Sequence, residues 1–300
     1  MDMTTAPRVS VIAPMKNEAG NVAALAEGIA AACAPFAPFE IIFVNDGSTD
    51  GTAEAIASVR QRIPYLRELR HAASCGQSAA VLSGVRAARA SVCATLDGDG
   101  QNPPDELPRL IAPMLADATG RLGLVAGQRV GRQDTAGKRM GSRLANVLRA
   151  RVLRDDTRDT GCGLKAFPRA VFLTLPYFDH MHRYLPALVR REGYEIAHVD
   201  VSHRARMAGR SNYTNLGRAL VGILDLAGVW WLLRRRKLAR IVYRDSGLDA
   251  GLETGLDIVD GGVHGALGGS PDAELGGPRL PDASKTRDAD KNAGWREDGV

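Results

Sequence analysis

Residues 40–52 read EIIFVNDGSTDGT. The run 40–44 is continuously apolar, the pattern of a strand in a parallel sheet covered on both faces. It stops abruptly in turn formers and helix N-cap residues, so a helix should start near Thr52. Similar signals recur on either side. Upstream, 9–13 is a short apolar run ending at Pro14, and 18–32 is alanine-rich and helical. Downstream, 52–62 reads as helix, 66–70 as an edge strand and 78–90 as helix. The run 91–96 (SVCATL) is a strong strand, helix follows from about 106, and 122–127 (LGLVAG) is strand. Alternating strands and helices imply an α/β fold with a mostly parallel, Rossmann-like sheet flanked by helices.

In such sheets ligands bind beyond the carboxyl ends of the strands. The clusters PMKNE, NDGSTD and DGDGQN each follow an apolar strand directly. In the last, Asp97 and Asp99 flank one glycine, and Pro103-Pro104 follows. Like charges this close are tolerable where a cation sits between them and a ligand. Mg2+ and Mn2+ favour oxygen ligands and bridge carboxylates to substrate phosphates. Gly98 is expected to supply the sharp turn, and the prolines a stiff exit. Alone, an Asp-x-Asp pair is usually a surface turn. Its position after a buried strand, matched by NDGSTDGT one strand earlier, is what points to chemistry.

The remainder is less regular. A basic helix is expected over 138–153, and RDTGCGLKAF (158–167) reads as a loop entering a strand-like segment. Helix over 180–194, strand over 195–206 and helix over 214–236 follow. The last helix carries Trp230 and Trp231 and then RRRK. Beyond about 245 the chain is rich in Gly and Asp without periodicity and reads as a disordered tail. The expected division is 8–212, a single α/β unit; 213–244, an amphipathic basic helix; and 245–300, the tail.

The chain has 300 residues, 45% hydrophobic and 24% charged, which is ordinary globular composition. Its formal charge of +5 conceals an asymmetry: 245–300 holds twelve acids and five bases, leaving 34 bases and 22 acids, net +12, before it. Many of those bases fall between Arg204 and Arg244. A basic surface suggests an anionic partner, with simple solubility as the plainer alternative. Nothing beyond charge supports nucleic-acid recognition. The four cysteines are scattered with no CxxC pair, which suits reduced thiols rather than zinc. The N-terminus lacks a signal-peptide pattern, and no run reaches the roughly 18 apolar residues of a spanning helix.

Taken together, VSVIAPMKNEAGN, FVNDGSTDGT, GQSAAVLSGVRAA and LDGDGQNPPDEL resemble the ordered motifs of family 2 glycosyltransferases, most closely the dolichyl- or polyprenyl-phosphate sugar synthase branch. The resemblance covers roughly 8–235. It implies the GT-A fold, a nucleotide-sugar donor, a divalent metal (Mg2+ or Mn2+) and inverting transfer. Pro14, Lys16 and Glu18 fall where the family lines the nucleotide pocket, and Asp46 at its base- and ribose-binding aspartate. Asp97 matches the donor-binding aspartate, Asp99 and Gln101 the metal ligands, and Arg129 a donor-contacting arginine. Asp159 matches the acceptor-side carboxylate of a D-x-x-S-G loop, here with Cys162 for the serine and Lys165 where arginine is common. HRARMAGRSNY resembles an R-x-x-G-x-S-K stretch, making Arg206 and Ser211 phosphate contacts. Asn212 replaces its lysine, and Arg210 is a substitute cation. His182 lies near acceptor-side residues of relatives. The candidates for chemistry are thus Asp99, Asp159 and His182, although a histidine in a helix is as often structural.

The implied reaction moves a hexose from a GDP- or UDP-sugar to a polyprenyl phosphate. The processive signature Q-x-x-R-W is absent. A sugar-hydroxyl acceptor in the cell envelope is the alternative, and an inactive nucleotide-sugar-binding or membrane scaffold a third reading. A dehydrogenase is disfavoured because AxPxKNE replaces G-x-G-x-x-G. The helix over 214–236, apolar at Leu216, Leu220, Ile223, Ala227, Trp230 and Trp231, suits peripheral contact with an anionic cytoplasmic membrane face. Packing on the core or in a homo-oligomer is the alternative role.

Overall fold

The computed structural model describes residues 6–130, 149, 153, 157–202 and 215–236. Among them, one sheet contains β1 (Val9–Met15), β2 (Phe39–Asn45), β3 (Leu66–Arg70), β4 (Val92–Thr95), β5 (Leu122–Arg129), β6 (Lys165–Pro168) and β7 (Glu195–Val201). The order is β3-β2-β1-β4-β6-β5-β7. Every pairing is parallel except those of β6, which runs antiparallel to both β4 and β5. The helices are α1 (Val22–Cys33), α2 (Thr52–Arg62), α3 (Gln77–Ala87), α4 (Leu107–Ala116), α5 (Arg169–Thr174), α6 (Leu185–Arg191) and α7 (Asn215–Arg235).

The central strands are apolar throughout because each face has its own cover. Val9, Val11, Ala13 and Met15 of β1 join a core with α1, α2 and α4, while Ile12 faces α3 on the other side. Phe43 and Ile42 divide in the same way on β2. Two-residue side-chain periodicity thus splits one continuous run between two cores. The second core also takes α5, α6 and Val229 of α7, which is 1% exposed.

Glu40 departs from the apolar pattern although it is 1% exposed. At the amino edge of the sheet its Oε1 accepts from Ser10 Oγ (2.7 Å) and the Arg89 amide (2.7 Å). Its Oε2 accepts from Arg67 (2.7 Å) and the Arg89 guanidinium (3.1 Å). One carboxylate therefore ties β1, β2, β3 and the α3–β4 turn. Burial opposes its charge, but the hydrogen bonds and Arg67 outweigh this and hold its pKa below the ordinary value.

Several boundaries differ from expectation for local reasons. The first helix starts at Val22 rather than 18 because 17–21 is a turn. Asn17 has φ of 54°, and Asn21 donates to Glu18 at 2.6 Å. The expected helix over 180–194 is a 3-10 turn (Met181–Arg183) followed by α6, with His180 left-handed at φ of 64°. β7 reaches only Val201, and 203–214 lies outside the described residues. In the expected basic helix, Arg149 and Leu153 are helical and the other residues of 138–153 lie outside the described set, as does the tail 245–300.

Candidate active site

The carboxyl ends of β1, β2 and β4 form one edge, and the start of β6 joins them because that strand runs the other way. Lys16 Nζ donates to the carbonyl of Gly47, joining the first two loops. Asn17 extends that join: its amide donates to Ser48 Oγ at 3.0 Å and its side chain accepts from Thr49 at 2.8 Å. The Glu18 amide donates to Thr52 Oγ1 at 3.0 Å. Pro14 meets the carboxylate loop of β4, since a Cβ on Gly98 would stand 2.4 Å from its carbonyl oxygen. Close approach thus requires Gly98; the turn itself falls at Gly100, with φ of 72°. This corrects the role expected of Gly98.

Asp46, expected to meet the nucleotide base, has both oxygens occupied by the loop after β3. Oδ1 bonds His71 Nδ1 (2.7 Å) and the Cys75 amide (2.8 Å). Oδ2 accepts from Ser74 Oγ (2.7 Å) and the Gly76 amide (3.0 Å). Burial works against the charge, and these donors outweigh it, so its pKa is lowered. Ligand atoms of Asp46, His71 and Cys75 lie within 4.8 Å of one another. Because His71 Nε2 also bonds Ser83 of α3 at 3.0 Å, both ring nitrogens and both Asp46 oxygens are already hydrogen-bonded. We read the group as the loop's hydrogen-bond frame.

Asp97 is held by two amides that the sequence did not single out. Gln77, the first residue of α3, donates to Oδ1 at 2.7 Å, and Asn102 donates to Oδ2 at 2.8 Å. Gly163 lies flat against this carboxylate, where a Cβ would come within 2.4 Å of it. Burial and then the charge of Asp99 push the Asp97 pKa up, against Lys165, Asn102 and Arg129. The like-charge conflict read from the sequence is therefore present, and two nearby cations offset it. Asp99 Oδ1 accepts from the Gln101 amide at 3.1 Å.

Arg129 and Asp159 form a bidentate pair, with Nη2 to Oδ1 at 2.9 Å and Nε to Oδ2. Both side chains are nearly buried, 13% and 12% exposed. The Asp159 hydrogen bond raises the arginine's pKa. The expected donor contact and the expected acceptor carboxylate are thus partners of each other. Gln128 Oε1 holds the Asp159 loop from behind, accepting from the Arg158 and Asp159 amides, both at 2.9 Å. Lys165 is 4% exposed and donates to the Cys162 carbonyl. Burial lowers its pKa, while Cys162, Asp97 and Asp159 resist. His182 bonds Ser78 at the start of α3, with 2.8 Å between Nδ1 and Oγ. Arg206, Arg210 and Ser211 lie outside the described residues.

The missed side chains share one property. Gln77, Ser78, Asn102 and Gln128 are neutral, and each holds an ionisable side chain or a loop through contacts made only after folding. Their sequence signal was position alone, next to a strand end or a helix start.

A sheet ordered 3-2-1-4-6-5-7 with one reversed strand, closed at β4 by a carboxylate loop, has the architecture of the GT-A glycosyltransferases. The mannosyltransferase PcManGT from Pyrobaculum calidifontis, solved with GDP-Man and Mn2+, shares it with a TM-score of 0.55 at 22% identity, covering 79% of this chain and 67% of that one. Within that class the protein belongs to glycosyl transferase family 2, whose pattern matches residues 10–175. It is 32% identical to a dodecaprenyl-phosphate galacturonate synthase of Rhizobium johnstonii, over 81% of this chain and 72% of that one. It is also 32% identical to an undecaprenyl-phosphate 4-deoxy-4-formamido-L-arabinose transferase of Pectobacterium carotovorum, over 69% of this chain and 63% of that protein. The match therefore spans less than two thirds of the second relative's length.

Proposed function

We propose that this glycosyltransferase moves a hexose from a GDP- or UDP-sugar to a polyprenyl phosphate, inverting the sugar carbon. The observation that carries this reading is the Arg129–Asp159 pair beside the Asp97–Asp99 loop. A carboxylate locked on a guanidinium is a poor proton acceptor, so the site suits an acceptor that arrives deprotonated. A phosphate monoester has a second pKa of about 6, so polyprenyl phosphate is largely dianionic at pH 7. One of its oxygens attacks the anomeric carbon, the bond from that carbon to the diphosphate oxygen breaks, and the electron pair leaves with the nucleoside diphosphate. No proton moves. A hydroxyl acceptor would first require Asp159 to leave Arg129. The names of the two relatives also support a polyprenyl-phosphate acceptor.

Pro14, Lys16, Glu18 and the Asp46 loop form the nucleotide end in this reading, and Arg206, Arg210 and Ser211 contact the acceptor phosphate. Asp99 and the amide oxygen of Gln101 would hold Mg2+ or Mn2+. Their all-oxygen donor set and the repulsion between Asp97 and Asp99 both fit a hard cation. Bound there, the ion would neutralise charge on the departing diphosphate.

The helix α7 suits a lipid substrate. Ile223 (65% exposed), Leu224 (72%), Trp230 (41%) and Trp231 (52%) form an uncovered apolar stripe on the described chain. The Arg234 guanidinium lies 4.0 Å from the Trp230 ring centre and that of Arg235 5.6 Å from Trp231. Arg236 instead pairs with Glu192 at 2.7 Å, so it is withdrawn from the basic block expected to face the membrane. Lys237 lies outside the described residues. No described helix is long and apolar enough to cross a membrane. In this reading the helix rests peripherally on the anionic cytoplasmic leaflet, and 8–212 is the transferase unit.

Two bases at such a surface contribute about 2 kcal/mol together. Arg234→Gln with Arg235→Gln should weaken binding to anionic vesicles roughly 30-fold at low salt. The difference should shrink as salt rises. Trp230→Ala with Trp231→Ala should weaken binding with little salt dependence. Sedimentation of both variants like wild type would remove the membrane assignment.

A panel of labelled GDP- and UDP-sugars with polyprenyl phosphate and Mg2+ or Mn2+ tests the main reading. Labelled product should partition into butanol. Water-soluble product formed with a glycan would instead identify a hydroxyl acceptor, and no turnover with any donor would leave the scaffold reading.

A further inference from the structure

Ser78 is fully buried. Its hydroxyl has two hydrogen-bond partners among the described residues, both on His182: the backbone amide at 3.4 Å and ring Nδ1 at 2.8 Å. A backbone amide can only donate. The Ser78 proton therefore has one acceptor, Nδ1, which must carry a lone pair. In a neutral imidazole the proton then sits on Nε2. Nε2 makes no hydrogen bond within the described residues, and His182 is only half-buried. Gln77, the residue before Ser78, grips Asp97, and Lys165 acts on both Asp97 and the His182 ring.

Among the described residues, the charged and titratable groups acting on this ring are Lys165, Arg183 and His180, with no carboxylate among them. Burial first, and then these neighbours, keep the ring neutral by holding its pKa well below the ordinary value. An imidazolium formed by taking a proton from a substrate would stand beside Lys165 and Arg183.

We propose that Ser78 fixes His182 as the Nε2–H tautomer, making it a hydrogen-bond donor to a phosphate oxygen of the substrates rather than a general base. This rests on the glycosyl-transfer reading for its substrates but not for its tautomer. The oxygen belongs either to the diphosphate of the donor or to the acceptor phosphate, and the two sources raise different Michaelis constants.

The tautomer is read without turnover by long-range proton–nitrogen NMR of protein carrying nitrogen-15 histidine, the His182 signals being assigned by their loss in His182→Gln. Wild type should show the Nε2–H pattern, and Ser78→Ala should show a mixture. An Nδ1–H pattern in wild type overturns the proposal whatever the substrate. Kinetics give the second arm, because glutamine places an N–H near the position of Nε2 and cannot act as a base. His182→Leu should lower kcat/KM about 100-fold, in the range for losing a donor to developing charge. His182→Gln should recover it to within about fivefold of wild type. A raised KM for the sugar nucleotide identifies the diphosphate, and a raised KM for polyprenyl phosphate the acceptor. Equal losses in the glutamine and leucine variants, or a pH-rate limb of wild type that His182→Gln abolishes, would show that the ring acts as a base.

Discussion

Asp99→Ala should reduce turnover at least about 1,000-fold while the melting temperature stays within roughly 2 °C of wild type. The separation of the two effects follows from where the residue sits. Asp99 lies in the loop after β4, half-buried and outside every described strand and helix, and its Oδ1 accepts from the amide of Gln101 in the same loop. Its charge, by contrast, is the second largest influence raising the Asp97 pKa. Removing it takes away the proposed ligand for the divalent ion and with it the neutralisation of the departing diphosphate. Product formation at saturating donor and metal is the measurement, with a thermal melt on the same sample. Activity within tenfold of wild type, or undiminished turnover of wild type in metal-free buffer, would remove Asp99 from the chemistry.

The opposite separation is expected at Glu40. Glu40→Ala should destabilise the protein by about 3 kcal/mol, because it removes one partner from a buried charge network. For a domain of this size that is a fall of roughly 10 °C in melting temperature. Arg67 and Arg89 are 35% and 46% exposed and can turn to water, which limits the loss. Ser10 and the Arg89 amide cannot readily do so. The Glu40 carboxyl has a lowered folded pKa, so its contribution is complete above the unfolded value of about 4.3. It fades as pH falls through the folded value. The alanine and wild-type proteins should therefore converge in stability in acid. A cost below 1 kcal/mol at pH 7 in urea unfolding would mean that the desolvation of the carboxylate cancels its bonds. Specific activity of the folded fraction should hardly change, since Glu40 lies at the amino edge.

The sequence was most legible where one physical rule dominated. Two-sided burial wrote β1, β2 and β4 as apolar runs, and the turn formers after them marked the carboxyl edge that holds the candidate site. Boundaries were less legible at 17–21 and 180–184, where side-chain bonds and left-handed residues interrupt what composition reads as helix. The reversed strand β6 was visible only as a strand-like segment. Its four residues, KAFP, carry no mark of direction, which is set by its pairing with β4 and β5.

The site was legible as a set of charged residues, not as a set of contacts. The carboxylates and Arg129 stood out by type and position. That Arg129 would be taken by Asp159, and Asp46 by the loop after β3, depends on segments 30 and 25 or more residues away. Spacing cannot report such pairings. The basic block shows the same limit: three consecutive arginines, Arg234 to Arg236, meet two aromatic rings and one carboxylate respectively.

The reversal of β6 also bears on how the site keeps its shape. Its first residue stands opposite Thr95, two positions before Asp97, and the Thr95 hydroxyl binds the Gly163 carbonyl at 2.8 Å. The loop that carries Asp159 is therefore moored to β4 at its far end, while Gln128 and Arg129 moor its near end. It is a strap pinned at both ends, so the sheet itself, and not any contact between the two carboxylates, keeps Asp159 in register with Asp97.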